Sequence, residues 1–195
     1  MKATILLLWL MIMNCNDQGD RDPEPANAPN TKLLAEAANL TTFLKEEAKY
    51  NDRIAFLVDM KIHSGKNRFF VYDLHSKRIL DQGLIAHGSG SETGGALYFS
   101  NVVNSRCTSL GKYKIGKSYN GQFGKAYKLH GLDHTNSKAF ERFIVFHKFS
   151  QVPYEEQDQP ICNSHGCPMV SEKFFGRIEK IIDSSQKDII LSIYY

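Results

Sequence analysis

Apolar residues recur along this chain with two different periods. Over Thr31–Tyr50 they fall at Leu33, Ala37, Leu40 and Leu44, the spacing of one helical face, and the residues between them favour helix. This predicts an amphipathic helix laid against the body that follows. From Ile54 the pattern turns to short apolar runs and alternation. It predicts strands over Ile54–Ile62, Arg68–Asp73, Ile79–His87, Tyr113–Ser118, Ala126–His130, Arg142–His147 and Asp188–Tyr194. The segment His75-Ser76-Lys77-Arg78 and the pair Asn120-Gly121 read as turns between strands. A second helical stripe, Phe174, Ile178, Ile181 and Ile182, predicts a helix over Ser171–Asp183. The fold class is mainly β with a few helices, preceded by one amphipathic helix.

The N-terminus has a different character. Met1-Lys2 opens with a positive charge, and the apolar run Ala3–Met13 has the length of a signal h-region, too short to span a bilayer as a helix. Cys15 follows at once, which resembles a bacterial lipoprotein signal over residues 1–15 with Cys15 as the lipidated residue; a plain secretory signal cut nearby is the alternative. Asn16–Asn30 is rich in Pro, Asp and Asn and cannot bury enough surface to offset ordering, so it reads as a flexible tether. The expectation is an extracytoplasmic protein, lipid-anchored in the cell envelope (periplasm), with the helix at 31–50 and a catalytic body at 51–195. Of the 195 residues 42% are hydrophobic, and the net charge is +3. Lys and Arg are dispersed rather than gathered into a stripe, so nucleic acid is not an expected partner.

Candidate chemistry gathers between Arg142 and Val170. An apolar strand delivers His147, a polar loop follows, and the chain closes on Ser164-His165-Gly166-Cys167-Pro168. A cysteine is a nucleophile only as its thiolate, so it needs an imidazole or amide dipoles close by. Two imidazoles, His147 and His165, precede this thiol in sequence, and Gly166 allows a turn whose amides could face a developing oxyanion. These residue types suit acyl transfer. Two other readings share the spacing: Cys162, His165 and Cys167 as metal ligands, which would need Cys107 or His147 to complete a site, or a Cys162–Cys167 disulfide. The long stretches Gly88–Cys107 and Lys148–Pro160 are natural rims of a groove.

The order of these blocks resembles the L,D-transpeptidase catalytic domain family (the YkuD-like fold), and within it the murein L,D-transpeptidase subgroup. The residues that carry the resemblance are His87-Gly88-Ser89-Gly90-Ser91, then Gly131-Leu132, Asn136, Ala139, Arg142, Ile144, Val145 and His147, then Ser164, Gly166, Cys167 and Pro168. The family usually has glycine after its catalytic histidine, where this chain has Lys148. That position orients the imidazole through a backbone carbonyl, which any residue supplies.

The resemblance implies a mostly antiparallel β-sandwich or distorted barrel, and peptidoglycan stem peptides as substrate. It implies Cys167 as nucleophile and His147 as base, the amides around Gly166 and Cys167 as the oxyanion hole in a turn shaped by Ser164 and His165, and no cofactor or metal. His87 and Arg142 are groove candidates; a structural histidine is the alternative for His87, and a framework salt bridge is the preferred reading for Arg142. The resemblance also implies that a carbapenem acylates Cys167. In an oxidising compartment Cys107 and Cys162 are expected either to pair or to stay as buried thiols, leaving Cys167 free. Hydrolysis by the same site and a non-catalytic wall-binding role remain as alternatives. His63, His75, His130 and His134 carry no readable role.

Overall fold

The computed structural model describes residues 31–195; the leader, Cys15 and the tether lie outside the described residues. Helix α1 (Thr31–Glu46) is followed by strands β1 (Tyr50–Asp59), β2 (Phe69–Asp73) and β3 (Arg78–Gly83). The short hairpin β4 (Glu92–Thr93) and β5 (Ala96–Leu97) comes next, then the long hairpin β6 (Gly111–Gly121) and β7 (Gly124–Gly131). β8 (Val145–Lys148), β9 (Met169–Val170), helix α2 (Glu172–Ser184) and β10 (Asp188–Tyr194) complete the body.

Apart from β4–β5, the strands form one mixed sheet in the order β3-β2-β1-β10-β6-β7-β8-β9. Two pairings are parallel, β1 with β10 and β8 with β9, and the others are antiparallel. Alternation along the central strands sorts their side chains into two cores. Ala55, Leu57, Phe70, Tyr72 and Ile190 meet Leu33, Ala37, Leu40 and Leu44 of α1. Phe56, Val58, Phe69, Val71 and Leu191 face the other way, towards Phe174, Phe175 and Ile178 of α2.

The sheet curls around this second core. Phe69 on β2 and Phe146 on β8 are five places apart in strand order, about 24 Å across a flat sheet, yet their rings lie 5.8 Å apart. The curl stops short of a closed barrel. Isolated bridges join the two ends: Ala86, just beyond β3, donates its N–H to the Met169 carbonyl on β9 at 2.8 Å, and Gly88 pairs with Ser164.

Several boundaries differ from the sequence expectation, each for a local reason. The first helix ends at Glu46 because Tyr50 already pairs with Asp188 in the sheet. β1 ends at Asp59, whose carboxylate accepts the Lys61 N–H at 2.9 Å and turns the chain. β3 stops at Gly83, where a side chain would meet the Phe174 ring at 2.6 Å. The strand expected over Arg142–His147 begins only at Val145, since Phe143 sits in the left-handed region at φ 54°. Helix α2 is capped by Ser171, whose Oγ accepts the Phe174 N–H at 3.3 Å. No helix among the described residues is long and apolar enough to cross a membrane.

Candidate active site

Strands β8 and β9 bring the histidine and the cysteine turn together. Parallel pairing sets His147 opposite Met169, and the His147 N–H donates to the Pro168 carbonyl at 3.4 Å. His147 is only 4% exposed. Its Nδ1 lies 2.9 Å from the Lys148 carbonyl. A carbonyl only accepts, so Nδ1 carries the proton and Nε2 the lone pair. Nε2 makes no hydrogen bond among the described residues. Phe123, at the tip of the β6–β7 hairpin, stacks on the imidazole with centroids 4.8 Å apart and planes at 14°. Phe149 meets the Phe123 ring edge-on at 5.5 Å. Burial lowers the His147 pKa and the Lys148 carbonyl works against it, which leaves a neutral, proton-accepting ring at neutral pH.

The Cys167 thiol donates to the Phe143 carbonyl, 3.7 Å away, and not to an imidazole. Phe143 achieves this in its left-handed conformation, with its ring 82% exposed. Burial raises the Cys167 pKa, while the Val145 amide and the positive charge of Arg142 pull it down. In this arrangement the sulfur is held as a thiol.

The turn before the cysteine depends on Gly166. Its φ is 112°, and a Cβ there would lie 3.0 Å from the Cys107 carbonyl and 3.2 Å from Ile144. The Gly166 N–H donates to Ser164 Oγ at 3.0 Å. Of the two amides expected to face an oxyanion, that of Gly166 is engaged here, while that of Cys167 makes no hydrogen bond among the described residues. Ser164 is buried and ties the turn to the His87 segment in both directions. Its N–H donates to the His87 carbonyl and its own carbonyl accepts from Ser89, each at 2.8 Å. His165 is exposed and borders a 350 Å³ cleft with Arg142 and Phe143.

His87 is a near neighbour of the turn through its backbone alone. Its side chain points into a separate arrangement, with Nδ1 2.8 Å from Arg68 Nη2 and Nε2 3.1 Å from Glu92 Oε1. Arg68 must donate, so Nδ1 accepts and Nε2–H faces the carboxylate. Both nitrogens are therefore occupied. Burial and the Arg68 charge lower the His87 pKa. Arg68 is itself 1% exposed, its pKa is pushed down by burial to about 10, and it further donates to the carbonyls of Ile85 and Ile62. This group lines a 590 Å³ cavity to which Lys61, His63 and Tyr195 also contribute and Cys167 does not.

Arg142 makes no ion pair among the described residues, contrary to the framework salt bridge weighed for it. It donates instead to neutral oxygens: Ser100 O, Ser109 Oγ, Ser105 Oγ and Cys107 O, at 2.6 to 3.4 Å. Asn136, another residue of the resemblance, is framework: it accepts the Asp133 N–H and donates to the Lys112 carbonyl, both at 2.9 Å. Cys107, Cys162 and Cys167 are free thiols, and no cluster of potential metal ligands occurs among the described residues. Sequence reasoning missed Arg68, Glu92 and Phe123. The first two meet His87 only through folding. The turn signal beside Phe123 was visible, but nothing local said which side chain the ring would cover.

Comparisons place the chain among known proteins. A family model described as L,D-transpeptidase catalytic domain matches residues 26–194, whereas no curated protein matches the chain. Among solved structures, an L,D-transpeptidase (residues 123–326) from Xylanimonas cellulosilytica is 15% identical with a TM-score of 0.40, over 86% of this chain and 70% of that one. The helical cell shape determining protein Pgp2 (K307A mutant) from Campylobacter jejuni is 13% identical with a TM-score of 0.46, over 85% of this chain and 56% of that one. The chain thus spans little more than half of the second structure. With a match that starts before α1 and runs through β10, the chain belongs to the L,D-transpeptidase catalytic domain family.

Proposed function

We propose that this protein is a cysteine-dependent murein L,D-transpeptidase acting on peptidoglycan stem peptides. The observation that carries this reading is the His147 environment. Its Nδ1 is spent on a carbonyl, its Nε2 is unengaged among the described residues, and β8–β9 pairing sets it beside the cysteine turn. In the first step His147 Nε2 takes the Cys167 proton as Sγ attacks the carbonyl between a diamino acid and the following D-alanine. The Sγ–C bond forms, the C–N bond breaks, and the imidazolium returns its proton to the departing amine. An amine of a neighbouring stem then attacks the thioester, gives up a proton to His147, and regenerates the thiol as a new amide forms. The Cys167 N–H is the oxyanion donor. The apolar run leading to Cys15 supports a lipid-anchored enzyme that reaches the wall over the 16–30 segment; unchanged membrane fractionation of Cys15→Ser would refute the anchor.

Mass spectrometry of purified stem peptides after incubation with the enzyme tests the reaction. Cross-linked dimer and free D-alanine are expected. Trimmed peptide without dimer would make water the acceptor and the enzyme a carboxypeptidase, and unchanged peptide would remove the catalytic reading.

A further inference from the structure

The two cavities differ in how their cations are used. In the larger one the Arg68 guanidinium is spent on His87 and on two carbonyls, and Lys61 lies over the Tyr195 ring. In the 350 Å³ cleft beside the cysteine turn the cations have no anionic partner. Arg106 is exposed, and its side chain makes no hydrogen bond or ion pair among the described residues. Arg142 bonds only neutral oxygens, and its Nε is buried without a partner. Glu141 is the one acid in the lining, so the two guanidiniums are in excess.

The cleft does not include Cys167 in its lining, but two of its lining residues lead to the thiol. Phe143, in its wall, supplies the carbonyl that accepts the Cys167 proton, and His165 stands two positions before Cys167. Its backbone is also strained in a concentrated way. Asn104, Arg106 and Phe143 line the cleft, and all three hold φ between 54° and 64°. Such conformations persist only where surroundings impose them, and they gather at ligand clamps. Here the Gly90 N–H grips the Arg106 carbonyl at 3.1 Å and Arg142 grips the Cys107 carbonyl at 2.6 Å. The loop that presents Arg106 is thus fixed in advance, which lowers the cost of ordering a ligand against it.

We propose that this cleft is a carboxylate-binding subsite in which Arg106 contacts the terminal carboxylate of the donor peptide, the group carried by the residue that leaves. A guanidinium and a carboxylate match as a two-pronged hydrogen-bonded pair, and Arg142 adds positive charge from the cleft wall. The assignment rests on the reading of Cys167 as the nucleophile that opens that peptide, because it places the leaving residue beside the thiol.

Binding and chemistry separate the two claims. Calorimetry on the Cys167→Ser protein compares a stem tetrapeptide with a free C-terminus and the same peptide amidated. The free acid is expected to bind about ten- to a hundred-fold more tightly, the worth of hydrogen bonds to a charged group. Arg106→Asn suits the left-handed backbone at this position and should erase the preference, while Arg106→Lys should retain part of it. Circular dichroism and an unchanged iodoacetamide rate at Cys167 would show that these variants leave fold and thiol intact. Equal binding of acid and amide, or a preference that survives Arg106→Asn, overturns the subsite. Thioester formation in the wild-type protein, read by intact mass, tests the nucleophile on its own. Its absence alongside a retained acid preference would sink the transpeptidase reading and leave the subsite standing.

Discussion

Two buried histidines, His147 and His87, teach what burial alone does not decide. Both are nearly inaccessible, both have lowered pKa values, and both belong to segments that resemble the family pattern. They differ in what their nitrogens do, and under the proposed function that difference decides which one can act on the thiol. His87 is held at both ends by Arg68 and Glu92, so it has no lone pair to offer a substrate or a thiol. His147 is held at one end by a carbonyl and covered on one face by an aromatic ring, which leaves Nε2 with its lone pair. The first is held as a strut, and the second has the arrangement that the proposed base requires. General base chemistry needs an orienting partner on one nitrogen and nothing on the other.

The largest effect expected from this contrast is on rate. His147→Ala should slow thioester formation at neutral pH by about a hundred- to ten-thousand-fold, with partial recovery at high pH as the thiol ionises unaided. His87→Ala should leave the pH dependence of that rate unchanged, measured by rapid-quench mass spectrometry. His165→Ala, an exposed residue in the cleft wall, should cost less than His147→Ala and act mainly on the apparent substrate constant.

The reverse ranking should hold for stability. Arg68→Met leaves the carbonyls of Ile85 and Ile62 without their donor, at about 1–3 kcal/mol for a buried group left unsatisfied, as the Ile85 carbonyl would be. Urea denaturation should show that loss, with a much smaller one for His147→Ala. An Arg68→Met protein as stable as wild type would mean that the His87 group is not a strut.

A third expectation concerns pH. Folding lowers the pKa of both histidines below the ordinary 6.5, so the native state binds fewer protons than the unfolded chain. Their contribution to stability is present above pH 6.5 and is lost as pH falls towards the lowered values. Cys167 is shifted upward from 9.0, so its contribution is lost as pH rises beyond that value. Melting temperature should therefore decline on the acid side of 6.5, and less steeply in His147→Ala.

What was legible in the sequence follows the same division. The faces of α1 and α2 could be read from periodicity, because one apolar stripe decides a helix. The strands β1, β2, β6, β7 and β10 were legible for a similar reason, with ends displaced by local caps such as Asp59. β9 and the β4–β5 hairpin were not, since two-residue strands exist only through their partners. The pairing of His147 with the cysteine turn was suggested by order along the chain. The occupied state of His87 was not, because Arg68 and Glu92 reach it only once the sheet curls. Phe143 was misplaced in a strand, as an apolar run carries no mark of a left-handed residue.

The smallest expected effect tests the covering ring. Phe123→Ala removes the stacking that packs one face of the imidazole, and should raise the His147 pKa by admitting water. The rate should drop about two- to ten-fold, the worth of one aromatic pair, with recovery in Phe123→Tyr. Nuclear magnetic resonance titration of the His147 ring reads the shift directly, and an unmoved pKa would deny the ring that role.

The central claim is that Cys167 attacks a stem peptide, and the most direct test is the mass and location of the acyl group on the protein. Incubation with a stem tetrapeptide, followed by acid quench, intact mass and peptide mapping, should show one adduct of the peptide less its terminal D-alanine. The adduct should sit on Cys167 and be lost in Cys167→Ala. An adduct on Cys107 or Cys162, or none in a folded protein whose Cys167 still alkylates, would contradict the account.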